Sequence, residues 1–181
     1  MPPRFPQNEG LRCVLLRCTN EKCGVYIVSL MSGDEVVLTW PQHVQDKAFP
    51  DVPPHIADAA NEAYRCFSIS AYRASTLLAR SVIEATAKSL NHTTGTLVAK
   101  IDAMYAANQI REFVKEGAHE VRYLGNDMAH GDFVDPVEAE EAELALSLMD
   151  EVLEEIFQAP ARVANARALR LLKKNASAPT P

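Results

Sequence analysis

The sequence predicts a mainly α protein: a bundle of about five helices preceded by a small N-terminal β hairpin or three-stranded flap. Three observations support this prediction. Apolar residues recur with helical spacing in the long segments after residue 54. Before residue 41, short runs of β-favouring residues alternate with turn residues. Between the two parts, residues 49–54 (FPDVPP) have the composition of a stiff linker.

The overall composition is that of a folded protein. Of the 181 residues, 48% are hydrophobic and 23% are charged, which is enough apolar material for a buried core. No apolar run approaches the roughly 18 residues of a membrane span, and the first residues lack the apolar segment of a secretory signal. We therefore expect a cytoplasmic protein with no membrane partner, in which the four cysteines are reduced.

Residues 1–48 are predicted to form the β appendage. Two β-favouring runs, residues 13–16 and 25–28, flank a polar turn and predict a hairpin. A third strand, residues 35–40, follows the turn at residues 32–34. It is expected to end before Pro41, because proline cannot donate a hydrogen bond to a sheet.

Three cysteines lie within this appendage. Cys18 and Cys23 stand at the hairpin turn with the spacing of an enlarged zinc knuckle, and Cys13 lies one strand earlier. A zinc ribbon needs two knuckles that together give four ligands, and the sequence shows one. We therefore expect reduced cysteines and no cofactor. The alternative is a degenerate zinc site formed by Cys13, Cys18 and Cys23.

Residues 49–160 are predicted to form the helical bundle. The first helix begins near Pro54, and Ser68 or Ser70 is a candidate N-cap for the second helix. The third and fourth helices cover residues 97–105 and 110–124, and the pair Gly125-Asn126 is expected to end the fourth in a left-handed conformation. The buried stripe of the second helix is predicted to contain Ala74, Leu77, Leu78, Ser81, Val82 and Ala85.

The fifth helix is predicted to begin with Asp135 as N-cap and Pro136 in the first helical position. Its buried stripe is expected to contain Leu146, Met149, Val152, Leu153, Ile156 and Phe157. Residues 161–181 form a separate basic segment, with a sixth helix over residues 162–174 and a disordered tail from residue 175.

Charge is segregated along the C-terminal third of the chain. Residues 131–161 contain ten acidic residues and no lysine or arginine, whereas residues 162–181 contain five basic residues and no acid. The net charge is −6, so the chain is not a broadly basic nucleic-acid binder, although a local basic face is compatible with this total. The sequence also lacks a glycine-rich phosphate loop, a nucleophile elbow and the HExxH metalloprotease motif.

The residues best suited to chemistry lie at and after the end of the fourth helix. Arg122 offers a guanidinium for phosphate, His130 can exchange protons near neutral pH, and Asn126 can orient either of them. These are the groups that a metal-independent ribonuclease needs. Helical spacing places Arg111 and Lys115 on the same edge as Arg122, where they could follow a phosphate backbone. The competing interpretation is structural: Gly125-Asn126 caps a helix, and Arg122 pairs with an acid.

Four separated motifs indicate a family. They are residues 49–56 (FPDVPPHI), 61–63 (NEA), 78–84 (LARSVIE) and 121–131 (VRYLGNDMAHG). In this order they resemble the domain of unknown function 4145 family, over most of residues 49–160. That family resembles a branch of the HEPN (higher eukaryotes and prokaryotes nucleotide-binding) superfamily. These all-helical domains of toxins, restriction systems and antiviral ribonucleases usually dimerise and set an arginine and a histidine across the dimer groove.

The resemblance assigns that pair to Arg122 and His130 and places Arg80 and Glu84 as supporting residues one helical turn apart. Seven residues separate Arg122 from His130, against four to six in the strict superfamily signature. We therefore expect a homodimeric module of a bacterial or phage defence, restriction or toxin-type system that acts on or near RNA or nucleases. A non-catalytic binding role is slightly favoured. The alternative is a metal-independent endoribonuclease that uses Arg122 and His130 at a dimer groove.

Overall fold

The computed structural model of the protein describes residues 10–19, 23–40, 44, 46–125 and 136–176. It is mainly helical, with a small antiparallel sheet near the N-terminus, which confirms the predicted fold class. The chain divides into two compact units, Met1–Val44 and Gln45–Pro181. The second unit therefore begins slightly before the predicted boundary between residues 48 and 49.

The first unit contains a three-stranded sheet. Its strands, joined in chain order, are β1 (Leu11–Arg17), β2 (Tyr26–Ser32) and β3 (Glu35–Trp40). Gly33, in the turn between β2 and β3, has a φ of 61°, a conformation that glycine adopts at little cost. The Arg12 guanidinium donates a hydrogen bond to the Gly33 carbonyl over 2.9 Å, which ties β1 to this turn.

The second unit is a helical bundle. Its elements are α1 (Pro54–Ser68), α2 (Tyr72–Ser89), α3 (Leu97–Ala106), α4 (Glu112–Leu124), α5 (Ala139–Leu153), a π-helical segment (Glu154–Gln158) and α6 (Ala159–Ala176). The central helix is α2, which packs against α1, α3, α4 and α5. None of the described helices has both the length and the hydropathy that crossing a bilayer requires.

Two predicted helix starts are wrong. The N-cap of α2 is Ala71, not Ser68 or Ser70, because the Ser68 hydroxyl turns back to donate to the Arg65 carbonyl over 2.8 Å. Helix α5 begins at Ala139, after Pro136, and Glu138 is its N-cap. The Glu138 N–H donates to the Glu141 carboxylate over 2.9 Å, so a capping box further along the chain determines the start of α5. Asp135 lies outside the described residues.

The buried stripe of α2 also differs from the prediction. Ala74 and Ser81 are exposed, and the buried face is rotated by about one residue, or roughly 100°. Its members are Ser75, Thr76, Ala79, Val82, Ile83, Thr86 and Ala87. Most of these side chains are small, which allows close approach to the four helices that pack around α2. Four members of the stripe predicted for the fifth helix are buried in α5: Leu146, Met149, Val152 and Leu153. The other two, Ile156 and Phe157, are partly buried and lie in the π-helical segment.

The segment before α1 is part of the helical unit. Phe49 and Val52 belong to the buried core. The Lys47 ammonium donates to the Tyr64 hydroxyl oxygen over 2.9 Å, and Lys47 and Tyr64 both hydrogen bond to the Asp150 carboxylate. Burial and the neighbouring Asp150 carboxylate raise the pKa of Tyr64. These contacts join the chain ahead of α1 to α1 and α5.

One buried hydroxyl gives a test of the α2 core. Thr86 is fully buried, and its hydroxyl has no hydrogen-bond partner among the described residues. Thr86→Val keeps the shape of the side chain and removes an unsatisfied polar group. We expect this change to raise the free energy of unfolding by about 1 kcal/mol in urea titrations.

The control is Ser81→Ala on the same helix, whose exposed hydroxyl donates to the Leu77 carbonyl. It should change stability by less than about 0.5 kcal/mol. A destabilised Thr86→Val would mean that the Thr86 hydroxyl has a partner in the folded protein, and would contradict this account of the core.

Candidate functional site

A pocket of about 440 Å³ brings together parts of α2, α3 and α4. Arg80 and Glu84 come from α2, Arg122 comes from α4, and residues 95–98 come from the start of α3. We call it the Arg80–Arg122 pocket. The structure thus places Arg122 beside the two residues that the sequence predicted as its supports.

Both arginines present unsatisfied donors. The Nε atoms of Arg80 and Arg122 are each buried without a hydrogen-bond partner in the described part of the chain. The Arg122 guanidinium lies 3.7 Å from the centroid of the Tyr123 ring, so one face of it is covered. Guanidinium groups stay charged at physiological pH, and a buried donor without an acceptor is costly. The two guanidinium groups also bring positive charge to the pocket that their side chains line.

The start of α3 adds to the positive potential. Thr96 is the N-cap, and its hydroxyl accepts a hydrogen bond from the Ala99 N–H over 3.3 Å. Leu97 and Val98, which line the pocket, are the first two helical residues. The N–H groups of the first helical turn have no partner within their helix and carry partial positive charge. A helix start beside two arginines is favourable for an anion.

Glu84 is already held by lysines. It accepts hydrogen bonds from Lys100 of α3 over 2.8 Å and from Lys88 over 2.9 Å. Lys100 is only 5% exposed. The bond from Lys100, followed by that from Lys88, lowers the pKa of Glu84 to about 2. No ion pair joins Arg80 to Glu84 among the described residues, although the two lie one helical turn apart.

Gly125 makes room for Arg80. Its φ is −95°, which is right-handed, so Gly125 does not have the left-handed conformation predicted for the pair Gly125-Asn126. Asn126 lies outside the described residues. A Cβ at this position would lie 2.8 Å from Cδ of Arg80 and 3.1 Å from its Cβ. The glycine is therefore explained by the close approach of the Arg80 side chain to the end of α4.

The other predicted site residues fall in different places. Asn126 and His130 lie outside the described residues. Arg111 pairs with Glu155 over 3.0 Å, and Lys115 pairs with Asp102 over 2.8 Å, which raises the pKa of Lys115. Both cations of the predicted phosphate-binding edge are thus matched by carboxylates, while Arg122 lines the pocket.

Sequence reasoning missed Lys100. The signal was available, because Leu97, Ile101 and Met104 define the buried face of α3 and Lys100 lies on the same face. A lysine at such a position needs a buried anionic partner. Glu84 is that partner.

The structure describes all three cysteines of the first unit. Cys13 and Cys23 are exposed, and Cys18 is partly buried. Among the described residues, no cluster of three or more histidine, cysteine, aspartate or glutamate side chains could hold a metal ion. A zinc site formed by Cys13, Cys18 and Cys23 stays a prediction.

Together, the bundle and the pocket define a small helical protein with a pocket lined by two arginines. Residues 61–174 match the family model of the domain of unknown function (DUF4145). The match covers more than half of the chain, so the chain belongs to this family. It includes every residue that lines the Arg80–Arg122 pocket and most of α6. No curated protein and no solved structure matches the chain.

The ion pairs of Glu84 with Lys88 and Lys100 predict a stability that depends on pH. The pKa of Glu84 is about 2 in the folded protein, below its ordinary value of 4.5. Its ionisation therefore stabilises the fold above about pH 4.5, and this contribution is lost as the pH falls toward 2. We expect Glu84→Gln to lower the free energy of unfolding by about 2 kcal/mol at neutral pH.

Urea unfolding between about pH 7 and pH 3 is the measurement. Stability should fall less steeply below about pH 5 in Glu84→Gln than in the wild type. Glu151→Gln, at an exposed position of α5, is the matched control and should behave like the wild type. Identical pH profiles for the wild type and Glu84→Gln would rule out the assigned pairing.

Proposed function

We propose that this chain is a HEPN-like module of a bacterial or phage defence, restriction or toxin-type system. In this proposal it acts in the cytoplasm as a homodimer and binds RNA through phosphate groups in the Arg80–Arg122 pocket. The observation that carries the proposal is the pair of arginine side chains, Arg80 and Arg122, for which the described ion pairs show no carboxylate partner. They lie in one pocket with the start of α3.

The chemistry of the pocket suits a phosphate. An arginine guanidinium can donate two parallel hydrogen bonds to phosphate oxygens, and these charge-assisted bonds are among the stronger ones in proteins. Arg80, Arg122, Lys88 and Lys100 bring four positive charges to this region, and Glu84 brings one negative charge. Binding of this kind requires no cofactor.

The carboxylate that lines the pocket is not suited to act as a general base. A general base works best when its pKa lies near the operating pH. Among the described residues that line the pocket, Glu84 is the one with a carboxylate. Its pKa of about 2 makes it a poor proton acceptor near neutral pH. The alternative is a metal-independent endoribonuclease. In that reaction Arg122 would stabilise charge on the phosphate and His130 would accept the 2′-OH proton. Asn126 would orient one of these two side chains.

Binding of a fluorescently labelled single-stranded RNA, followed by anisotropy in EDTA, tests the proposal. We expect Arg80→Gln and Arg122→Gln each to weaken binding at least about tenfold, the scale of one lost charge-assisted hydrogen bond. The salt dependence of affinity should also decrease, because fewer counterions are released. The matched control is Arg73→Gln. Arg73 is exposed and lies on α2, the helix that carries Arg80, so this variant should bind RNA like the wild type.

Urea unfolding of each variant separates lost binding from lost structure. Gel electrophoresis of the same labelled RNA after incubation with the protein shows whether the RNA is cleaved. Cleavage to 2′,3′-cyclic phosphate ends that His130→Ala abolishes would establish the alternative instead. Equal affinity in the wild type, Arg80→Gln and Arg122→Gln would refute the pocket as the binding site.

Gly125→Ala provides an independent test of the pocket. The backbone of Gly125 accepts alanine without strain, but the new Cβ would displace the Arg80 side chain. We expect the free energy of unfolding to fall by about 1 to 3 kcal/mol, because Cβ of Arg80 moves only with α2, and RNA affinity to fall about tenfold. Unchanged affinity in a folded Gly125→Ala variant would show that the position of Arg80 does not matter for binding.

A further inference from the structure

One face of the N-terminal sheet carries exposed apolar and aromatic side chains. Leu15, Tyr26 and Trp40 have exposures of 65%, 55% and 69%. Single apolar side chains at a protein surface are ordinary, but a continuous exposed patch marks a place where another molecule binds. Whether these three side chains form one patch depends on how the strands are paired.

The strand register places all three on the same face of the sheet. Directly opposite residues of antiparallel strands share a face, and so do residues two positions apart on one strand. Val28 of β2 lies opposite Leu15 of β1 and opposite Trp40 of β3. Tyr26 is two positions from Val28, so it lies diagonal to Trp40, at a separation of roughly 7–8 Å that aromatic side chains can bridge. We call this surface, formed by Leu15, Tyr26, Val28 and Trp40, the Tyr26–Trp40 face.

Positive charge lies at the aromatic end of the Tyr26–Trp40 face. Arg17 is directly opposite Tyr26, and its guanidinium lies 6.0 Å from the centroid of the Tyr26 ring. No ion pair among the described residues involves Arg17. Among the strand residues of this face, the acid is Glu35, which lies opposite Ser32 at the other end of the strands. Two exposed rings and a cation therefore share one end of the sheet.

Single-stranded nucleic acid has the chemistry that this end would recognise. Its unpaired bases are flat rings that stack on aromatic side chains, and every nucleotide carries a negative phosphate. An apolar peptide would cover the two rings but would leave Arg17 without an anion. In a duplex the bases are paired and stacked on one another, so they are not free to stack on the protein.

We propose that the Tyr26–Trp40 face binds unpaired bases of a single-stranded RNA, one on each ring, with Arg17 beside a phosphate. The proposal rests on the function proposed above in taking RNA as the ligand. It adds a selection for single strands over duplexes, with little preference for sequence, because every base has a flat face. The face uses no residue of the Arg80–Arg122 pocket, so the two sites can be tested separately.

The fluorescence of Trp40 tests this proposal directly, because it is the only tryptophan of the chain. Single-stranded RNA is titrated into the full chain, and inorganic polyphosphate is the control titrant. A base that stacks on the indole ring should quench the emission, whereas polyphosphate has no bases and should leave the emission unchanged. The same RNA annealed to its complement should quench much less than the single strand.

Anisotropy of labelled single-stranded RNA gives the affinity of variants. Tyr26→Leu and Trp40→Leu keep an apolar side chain and remove the flat ring, so each should weaken binding at least about fivefold, the scale of one stacked base. Tyr26→Phe keeps the ring and should bind like the wild type. The matched control is Phe113→Leu, which removes a 53% exposed ring on α4 and should also leave the affinity unchanged.

The outcomes separate this face from the pocket. Binding that Arg80→Gln weakens and both leucine variants leave unchanged would refute the Tyr26–Trp40 face and leave the pocket standing. The converse pattern would support the face and refute the pocket. A wild-type chain that binds no RNA would overturn both proposals.

Two further results would overturn the Tyr26–Trp40 face alone. One is Trp40 emission that polyphosphate changes as much as RNA does. The other is emission that RNA leaves unchanged in a chain whose self-association, measured by sedimentation, Trp40→Leu abolishes; this would assign the face to a second copy. The wild-type quenching needs no variant, so the test holds even where a leucine variant loses the sheet.

Discussion

The hydrogen-bonded ion pair between Lys100 and Glu84 connects the packing of this protein to its pocket. A lysine that is 5% exposed must be paired, and Glu84 of α2 is its partner. The pair holds the start of α3 against α2, so that the helix N-terminus lies beside Arg80 and Arg122. Lys100 also binds the Glu84 carboxylate, which could otherwise form an ion pair with Arg80. A single contact therefore keeps α3 in place and leaves the pocket positively charged.

Much of the fold could be predicted from the sequence, because the elements are defined by local pattern. Gly33 marks the turn between β2 and β3, and Pro54 marks the start of α1. Both residues can be recognised in the sequence. The face of α2 was not predictable in this way. Its leucines indicated one side, but packing against four helices selects the side with Ser75, Thr76 and Thr86. Tertiary contacts override the local apolar pattern when a helix is central.

The pocket was predictable only in part. Family resemblance indicated Arg80, Glu84 and Arg122, and the structure places all three in one cavity. Lys100 was missed, because its role depends on how α3 meets α2, which helical spacing alone does not specify. Gly125 was noticed for the wrong reason: its backbone is right-handed, and the Arg80 side chain is what requires the space. Contacts between helices distant in sequence account for both differences.

The π-helical segment also has an evolutionary consequence. A π turn accommodates one more residue than an α turn while the flanking helix continues on the same axis. One residue within Glu154–Gln158 is therefore surplus to a regular hydrogen-bond ladder. A homologue shorter by a single residue here could close the ladder as an ordinary α-helix and keep the direction of α6. A one-residue deletion at this point should therefore be tolerated better than one within α2, which would rotate a buried face into solvent.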